Sequence, residues 1–187
     1  MKKPIFNTMN IFGILQKEGN SIEKVDESIE AIDEDEYNIA IKFLLENIND
    51  KCLCSSYDAG YFSPVSIRSR ILTNSEYYYC KKKDGRYELI ISVVPNLKNT
   101  NVVVVTNVIY NALLDYEYLV DSVKKMYEYI TSSIVKKVTK IRVSFLSKND
   151  SEEYVKFLKL FKDVGFKLEA TLENETENRN LYMYSLE

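Results

Sequence analysis

The nine residues "VVVVTNVIY" (102–110) limit the fold more than any other stretch of this sequence. A continuous β-branched run has no wet face, so it predicts a strand covered on both sides. Before it, "EYYYCKKKDGRYELIISVV" holds Asp84-Gly85 between two strand-like runs, a strong hairpin signal, and Pro95 with "NLKNTN" marks a further turn. Tyr77 and Tyr79 share one face of the first run and Tyr78 takes the other. After it, "DYEYLVDSVKKMYEYITSSI" predicts a helix. Its Leu119, Val123, Met126 and Ile130 form one apolar stripe, joined by Val120 and Tyr127. "KIRVSFL" is then a strand, and the strand–helix–strand order predicts a right-handed parallel crossover.

The remainder divides into an N-terminal arm, 1–27, and a domain, 28–187. Within the arm, "NIFGILQ" is expected to dock as a short helix. In "NSIEKVDESIEAI", Ile22, Val25, Ile29 and Ile32 keep helical spacing, while 28–32 suits a short strand equally. "DEDEYNIAIKFLLENIND" predicts a helix capped by Asp33, with Glu36 three residues on. Residues 51–75 read as a loop with one or two helical turns. "DSEEYVKFLKLFKDVGF" predicts a further helix with Val155, Leu158 and Phe161 on its core face and Gly165 as a left-handed cap. "KLEATLE" and "RNLYMYSLE" close the chain as strands around the turn "NETEN".

Composition narrows the chemistry. The 187 residues suit one domain, and 45% hydrophobic with 28% charged residues is ordinary for a globular chain. A net charge of −3 argues against a dedicated nucleic-acid partner. No stretch approaches a membrane span, and "MKKPIFNTMNIFGILQKEG" reads as mature sequence. Cys52, Cys54 and Cys80 leave an odd thiol, which points to a reducing cytoplasm. "KCLC" has the wrong spacing for zinc, and no metal site is expected. Histidine is absent, which removes Ser-His-Asp and Cys-His nucleophilic catalysis. Any general base is a carboxylate, tyrosine, lysine or relayed water.

The element order now resembles the GNAT family of N-acetyltransferases. "YVKFLKLFKDVGFKLEATL" is similar to that family's helix ending in Tyr-x-x-x-Gly-Phe, and "VVVVTNVIY…LVDSVKKMYEYI" is similar to its central strand and following helix. The resemblance covers about residues 28–187. It implies an α/β fold: a mixed, largely antiparallel sheet with a parallel, splayed central strand pair, about 101–110 and 140–147, and flanking helices. It also implies acetyl-CoA or another acyl-CoA in the opening, with acyl transfer to a small-molecule or protein amine. The pantetheine arm would bond to strand backbone, as a peptide adds to a sheet edge. On this carry-over Val108, Ile109, Tyr110, Asn111, Ser147 and Asn149 are the cofactor-binding residues.

Two departures from the family's pattern stand out. The family carries Arg/Gln-x-x-Gly-x-Gly/Ala before the helix, where glycines bring backbone N–H groups to the pyrophosphate. Here "NALLDYEYLVDSV" has no glycine, arginine or glutamine and offers Asp115 and Glu117 instead. Acids at a helix start cap well and repel phosphate. The family's tyrosine, which protonates the leaving thiolate, is replaced by Phe161. Tyr154 lies seven residues earlier, about 10 Å along the helix, and is either a relocated acid or a packing tyrosine. Asn107 is the other catalytic candidate: with Thr106 it either orients a water or an acyl oxygen at the splay, or satisfies backbone groups at a bulge. In "YDAGYFSPVSIRSR", Tyr57, Asp58, Arg68 and Arg70 recognise an acceptor, or are charges on a solvated loop. Tyr77, Tyr78, Tyr79 and Tyr87 form an interface, or reflect strand propensity. Two functions remain open: a divergent acyltransferase, and a pseudoenzyme acting through protein contacts, including a homodimer.

Overall fold

The computed structural model describes residues 11–15, 34–47, 63–73, 75–95, 101–133, 138–147, 152–176 and 179–187. The strands are β1 (Ile11–Leu15), β2 (Tyr77–Lys83), β3 (Arg86–Pro95), β4 (Val102–Tyr110), β5 (Lys140–Ser147), β6 (Lys167–Thr176) and β7 (Arg179–Leu186). The helices are α1 (Glu34–Asn47), α2 (Pro64–Leu72), α3 (Tyr116–Ser133) and α4 (Glu152–Val164). One sheet runs in the order β1-β2-β3-β4-β5-β7-β6. β4 and β5 are parallel, as the crossover requires, and β1 lies parallel to β2; the other neighbours are antiparallel. Among the described residues no helix is long and apolar enough to cross a membrane.

Local chemistry accounts for these elements. Asp84 and Gly85 both have positive φ, 49° and 73°, so the two-residue turn matches the strand twist and Lys83 pairs with Arg86. Ser63 caps α2: its Oγ accepts from the Ser66 N–H at 3.2 Å, and Pro64 follows at the first turn. Gly165, at φ 113°, closes α4. Its N–H bonds Lys162 O and the Phe166 N–H bonds Phe161 O, the paired bonds of a left-handed cap.

β4 is buried along almost its whole length, because helices cover both faces of the sheet. On one face Val103, Val105 and Val108 meet Leu119, Val123, Met126, Tyr127 and Ile130 of α3 and the inner residues of α4. Each fully buried side chain of this size contributes about 1.5–3 kcal/mol. On the other face Tyr78, Cys80, Ile90 and Ile109 meet Tyr37, Ala40, Ile41 and Leu44 of α1 and Ile67 and Ile71 of α2. Tyr78 and Tyr79 lie in opposite cores, as strand alternation dictates.

Several expectations are corrected. The described part of "NIFGILQ" is strand β1, not a helix; Ile11, Phe12 and Ile14 around Gly13 suit a strand better. The core face of α4 is Phe157, Leu160, Phe161 and Val164, whereas Val155 is 56% exposed. The helix is rotated toward its aromatic residues, which pack on Phe145 of β5. β6 continues to Thr176, through most of the expected turn. The tyrosines Tyr78, Tyr79 and Tyr87 are core, not interface, residues. The ambiguous stretch 22–32 lies outside the described residues.

Candidate functional site

β4 and β5 pair only from Val102–Lys140 to Val105–Val143. Beyond that point each strand stays with its other neighbour: β4 follows β3 to Tyr110, and β5 follows β7 to Ser147. The sheet therefore opens between them. One edge of β4, from Thr106 to Tyr110, has no strand paired to it among the described residues.

The opening starts at a bulge. Ser92 pairs with Asn107 and Val93 with Val105, so Thr106 is the extra residue. The bulge brings Thr106 and Asn107 to the same face, where both reach the Ser92 hydroxyl, each at 2.7 Å. Thr106 Oγ1 also donates to Glu76 Oε1. Glu76, fully buried just before β2, is held by Arg70 Nε at 2.6 Å and by the Tyr78 hydroxyl at 2.5 Å. Arg70 Nη2 donates in turn to the Tyr78 hydroxyl at 3.3 Å. Burial, then the charge and hydrogen bond of Glu76, push the Tyr78 phenol far up, so it remains a donor. A buried charge pair in an otherwise apolar layer is tolerable only with its polar atoms satisfied. One atom here is not: Asn107 Oδ1 is buried with no hydrogen-bond partner among the described residues.

The segment after β4 is different. The Asn111 N–H extends the β3 pairing to Glu88 O, and Asn111 Oδ1 accepts from the Leu113 N–H at 3.0 Å. Asp115 Oδ1 accepts from the Tyr118 N–H at 3.0 Å, capping α3 with a carboxylate. Tyr118 donates to Glu88 at 2.6 Å, and its phenol is pushed up to about 12 by burial and then by that bond. Lys81 lies 3.9 Å from the Tyr118 ring centroid and 2.5 Å from the Ser122 hydroxyl; burial lowers its pKa. Lys159 sits over the Tyr116 ring, and Tyr116 donates to Asp163 at 2.8 Å. Amides that would hold a pyrophosphate are thus partly spent on the segment's own side chains, with carboxylates beside them. These residues do not fit a nucleotide pyrophosphate, whereas the β4 edge keeps backbone groups that no strand pairs among the described residues.

The predicted residues are scattered by comparison. Asn107 is in the buried cluster, and so is Arg70, committed there to Glu76. Arg68 lies over the Tyr37 ring at 5.6 Å. Val108 and Ile109 of the open edge are buried and Tyr110 is half-buried. Ser147 ends β5 opposite Asn180. Tyr154 belongs to α4, and its side chain, like Tyr57, Asp58 and Asn149, lies outside what is described. Phe161 is fully buried among Phe145, Phe157, Phe166 and Tyr184. A cleft of about 430 Å³ lies at the opposite end of β5, between Lys124, Tyr127, Lys140, Ile141 and Leu186. Glu76 is not among the residues that the sequence reading assigns to the site. Strand alternation carried the signal: Glu76, Tyr78 and Cys80 share a face.

No protein-family profile matches the chain. No curated protein matches it either. Solved structures do. A spermidine N-acetyltransferase from Vibrio cholerae, solved with CoA and spermine, aligns at a TM-score of 0.61 and 11% identity, covering 84% of this chain and 92% of its own. The aminoglycoside 6'-N-acetyltransferase from Enterococcus faecium aligns at 0.60 and 8% identity, covering 88% and 94%. A GNAT-family protein from Desulfovibrio desulfuricans aligns at 0.60 and 10% identity, covering 82% and 93%. The chain is a mixed α/β protein with an opened parallel strand pair. Its fold is that of the GNAT acetyltransferases.

Proposed function

We propose that this chain transfers an acyl group from an acyl-CoA thioester to an amine of a small molecule or protein. The observation that carries the reading is the open edge of β4 with a buried acceptor beside it, Asn107 Oδ1, that has no partner among the described residues. A closed sheet would have paired that edge, and a merely structural amide would have had both its ends satisfied. The backbone of Val108–Tyr110 supplies an edge for the pantetheine arm and donors to polarise the thioester carbonyl. The amine nitrogen bonds to the acyl carbon, the C–S bond breaks, and the proton shed by nitrogen passes through water to the thiolate. Phe161 has no proton to give, so the chain does not use a tyrosine acid at that position.

A second reading, a binding protein that has lost the cofactor, is favoured by the carboxylate cap at Asp115. The two separate cleanly. Under the first, acetyl-CoA raises the melting temperature by mass action and amines release free thiol. Neither thermal shift nor thiol release at millimolar acetyl-CoA would leave only the second.

A further inference from the structure

The buried ion pair acts on the site through a one-way chain of hydrogen bonds. A carboxylate held by a guanidinium only accepts, so the Thr106 hydroxyl gives its proton to Glu76. With that proton committed, Thr106 Oγ1 can only accept from Ser92, 2.7 Å away. The Ser92 hydroxyl is then committed too, and its oxygen must accept from Asn107 Nδ2, also at 2.7 Å. The polarity of the whole row is therefore set at Glu76. It fixes which way the Asn107 amide faces: Nδ2 on Ser92, Oδ1 toward no partner among the described residues. An amide's orientation is properly assigned by such a network.

We infer that Glu76 is a positioning residue for acyl transfer, which holds Asn107 Oδ1 ready to accept an N–H from the acceptor nitrogen; this rests on the acyl-transfer reading above. The arrangement selects for the acceptor's chemistry. Arg70 and Glu76 cancel each other's charge, so Asn107 presents a neutral acceptor that orients a nitrogen bearing hydrogen. Primary and secondary amines satisfy it, whereas tertiary amines, hydrogen-free as free bases, do not. The cost of burying an unmade acceptor is relieved when that bond forms.

The test uses the ¹⁵N-labelled full chain and methylamine as probe. The Asn107 side-chain NH₂ pair, assigned by its loss in Asn107→Ala, should exchange slowly with solvent and shift on methylamine addition. Thr106→Val cuts the row; it should speed that exchange and weaken methylamine binding about tenfold, the effect of one buried hydrogen bond. Thr106→Ser should restore both. Acetyl-CoA affinity should stay within about twofold throughout, because the change is in acceptor positioning. If Thr106→Val does not fold, Ser92→Ala cuts the next link and must give the same result. Wild-type exchange and methylamine binding in the cut variant, or no methylamine shift in the native chain, would overturn the inference. Failure of the native chain to bind acetyl-CoA would instead overturn the acyl-transfer reading, and the exchange data would still judge the amide's orientation.

Discussion

The second half of β4 and the segment that follows it, 111–118, adjoin in sequence yet handle their polar groups in opposite ways. Among the described residues, β4 leaves an edge open and keeps a buried acceptor unpartnered. The following segment spends its amides on Asn111 and Asp115 and gathers tyrosine–carboxylate pairs. The first arrangement is the one the proposed ligand would complete; the second is a self-sufficient turn. Backbone recognition at a strand edge survives sequence drift, because it needs no particular side chain. Recognition of phosphate by a glycine loop does not survive it.

The comparison breaks most severely at Glu76. Glu76→Ala removes the buried carboxylate that pairs with Arg70, and with it the reason for the row's polarity, and should cost about 3–5 kcal/mol in urea unfolding. A cost below about 1 kcal/mol would mean that the pair does not organise β4. Phe161→Tyr restores the family's tyrosine in a fully buried aromatic cluster. It should cost about 1–3 kcal/mol, the price of an unpaired hydroxyl, and bring no gain in thiol release. A neutral, activating substitution would show instead that the open half of β4 reaches this helix.

Asp115→Ser keeps the helix cap and removes the charge. Stability should move by only a few tenths of a kcal/mol, roughly the difference between good caps, while acetyl-CoA binding tightens. Unchanged affinity would mean that the segment never meets the nucleotide. The smallest effect belongs to the outer ion pair of β5 and β6. The two Arg142 hydrogen bonds hold the Glu169 carboxyl below its usual range. Its folded pKa is depressed, so its contribution is present above the unfolded value and fades as pH falls through the folded one. Solvent screens this pair, and Glu169→Gln should cost under about 1 kcal/mol and slightly flatten the acid limb of stability. It calibrates the buried pair at Glu76 against an accessible one.

Much of this was legible in the sequence, for identifiable reasons. Asp84-Gly85, the β-branched run of β4, the stripe of α3 and Gly165 are local signals, and each marks its element. The face of α4 was misread because Val155, Leu158 and Phe161 obey helical spacing as well as Phe157, Leu160 and Val164 do; only packing on Phe145 decides between them. The helix expected over "NIFGILQ" gave way, at Ile11–Leu15, to an edge pairing that no local pattern announces. Asn107 was found by its polarity in an apolar strand. Its partners were not, since Glu76, Ser92 and Thr106 converge from three strand regions separated by up to thirty residues.

The most direct test of the contrast is calorimetric: titrate the chain with acetyl-CoA and, separately, with S-acetylpantetheine, which lacks the nucleotide. If the open edge of β4 does the binding, both bind and their Kd values agree within about tenfold. Binding of acetyl-CoA about a hundredfold or more tighter than S-acetylpantetheine, or binding of neither, would contradict the account.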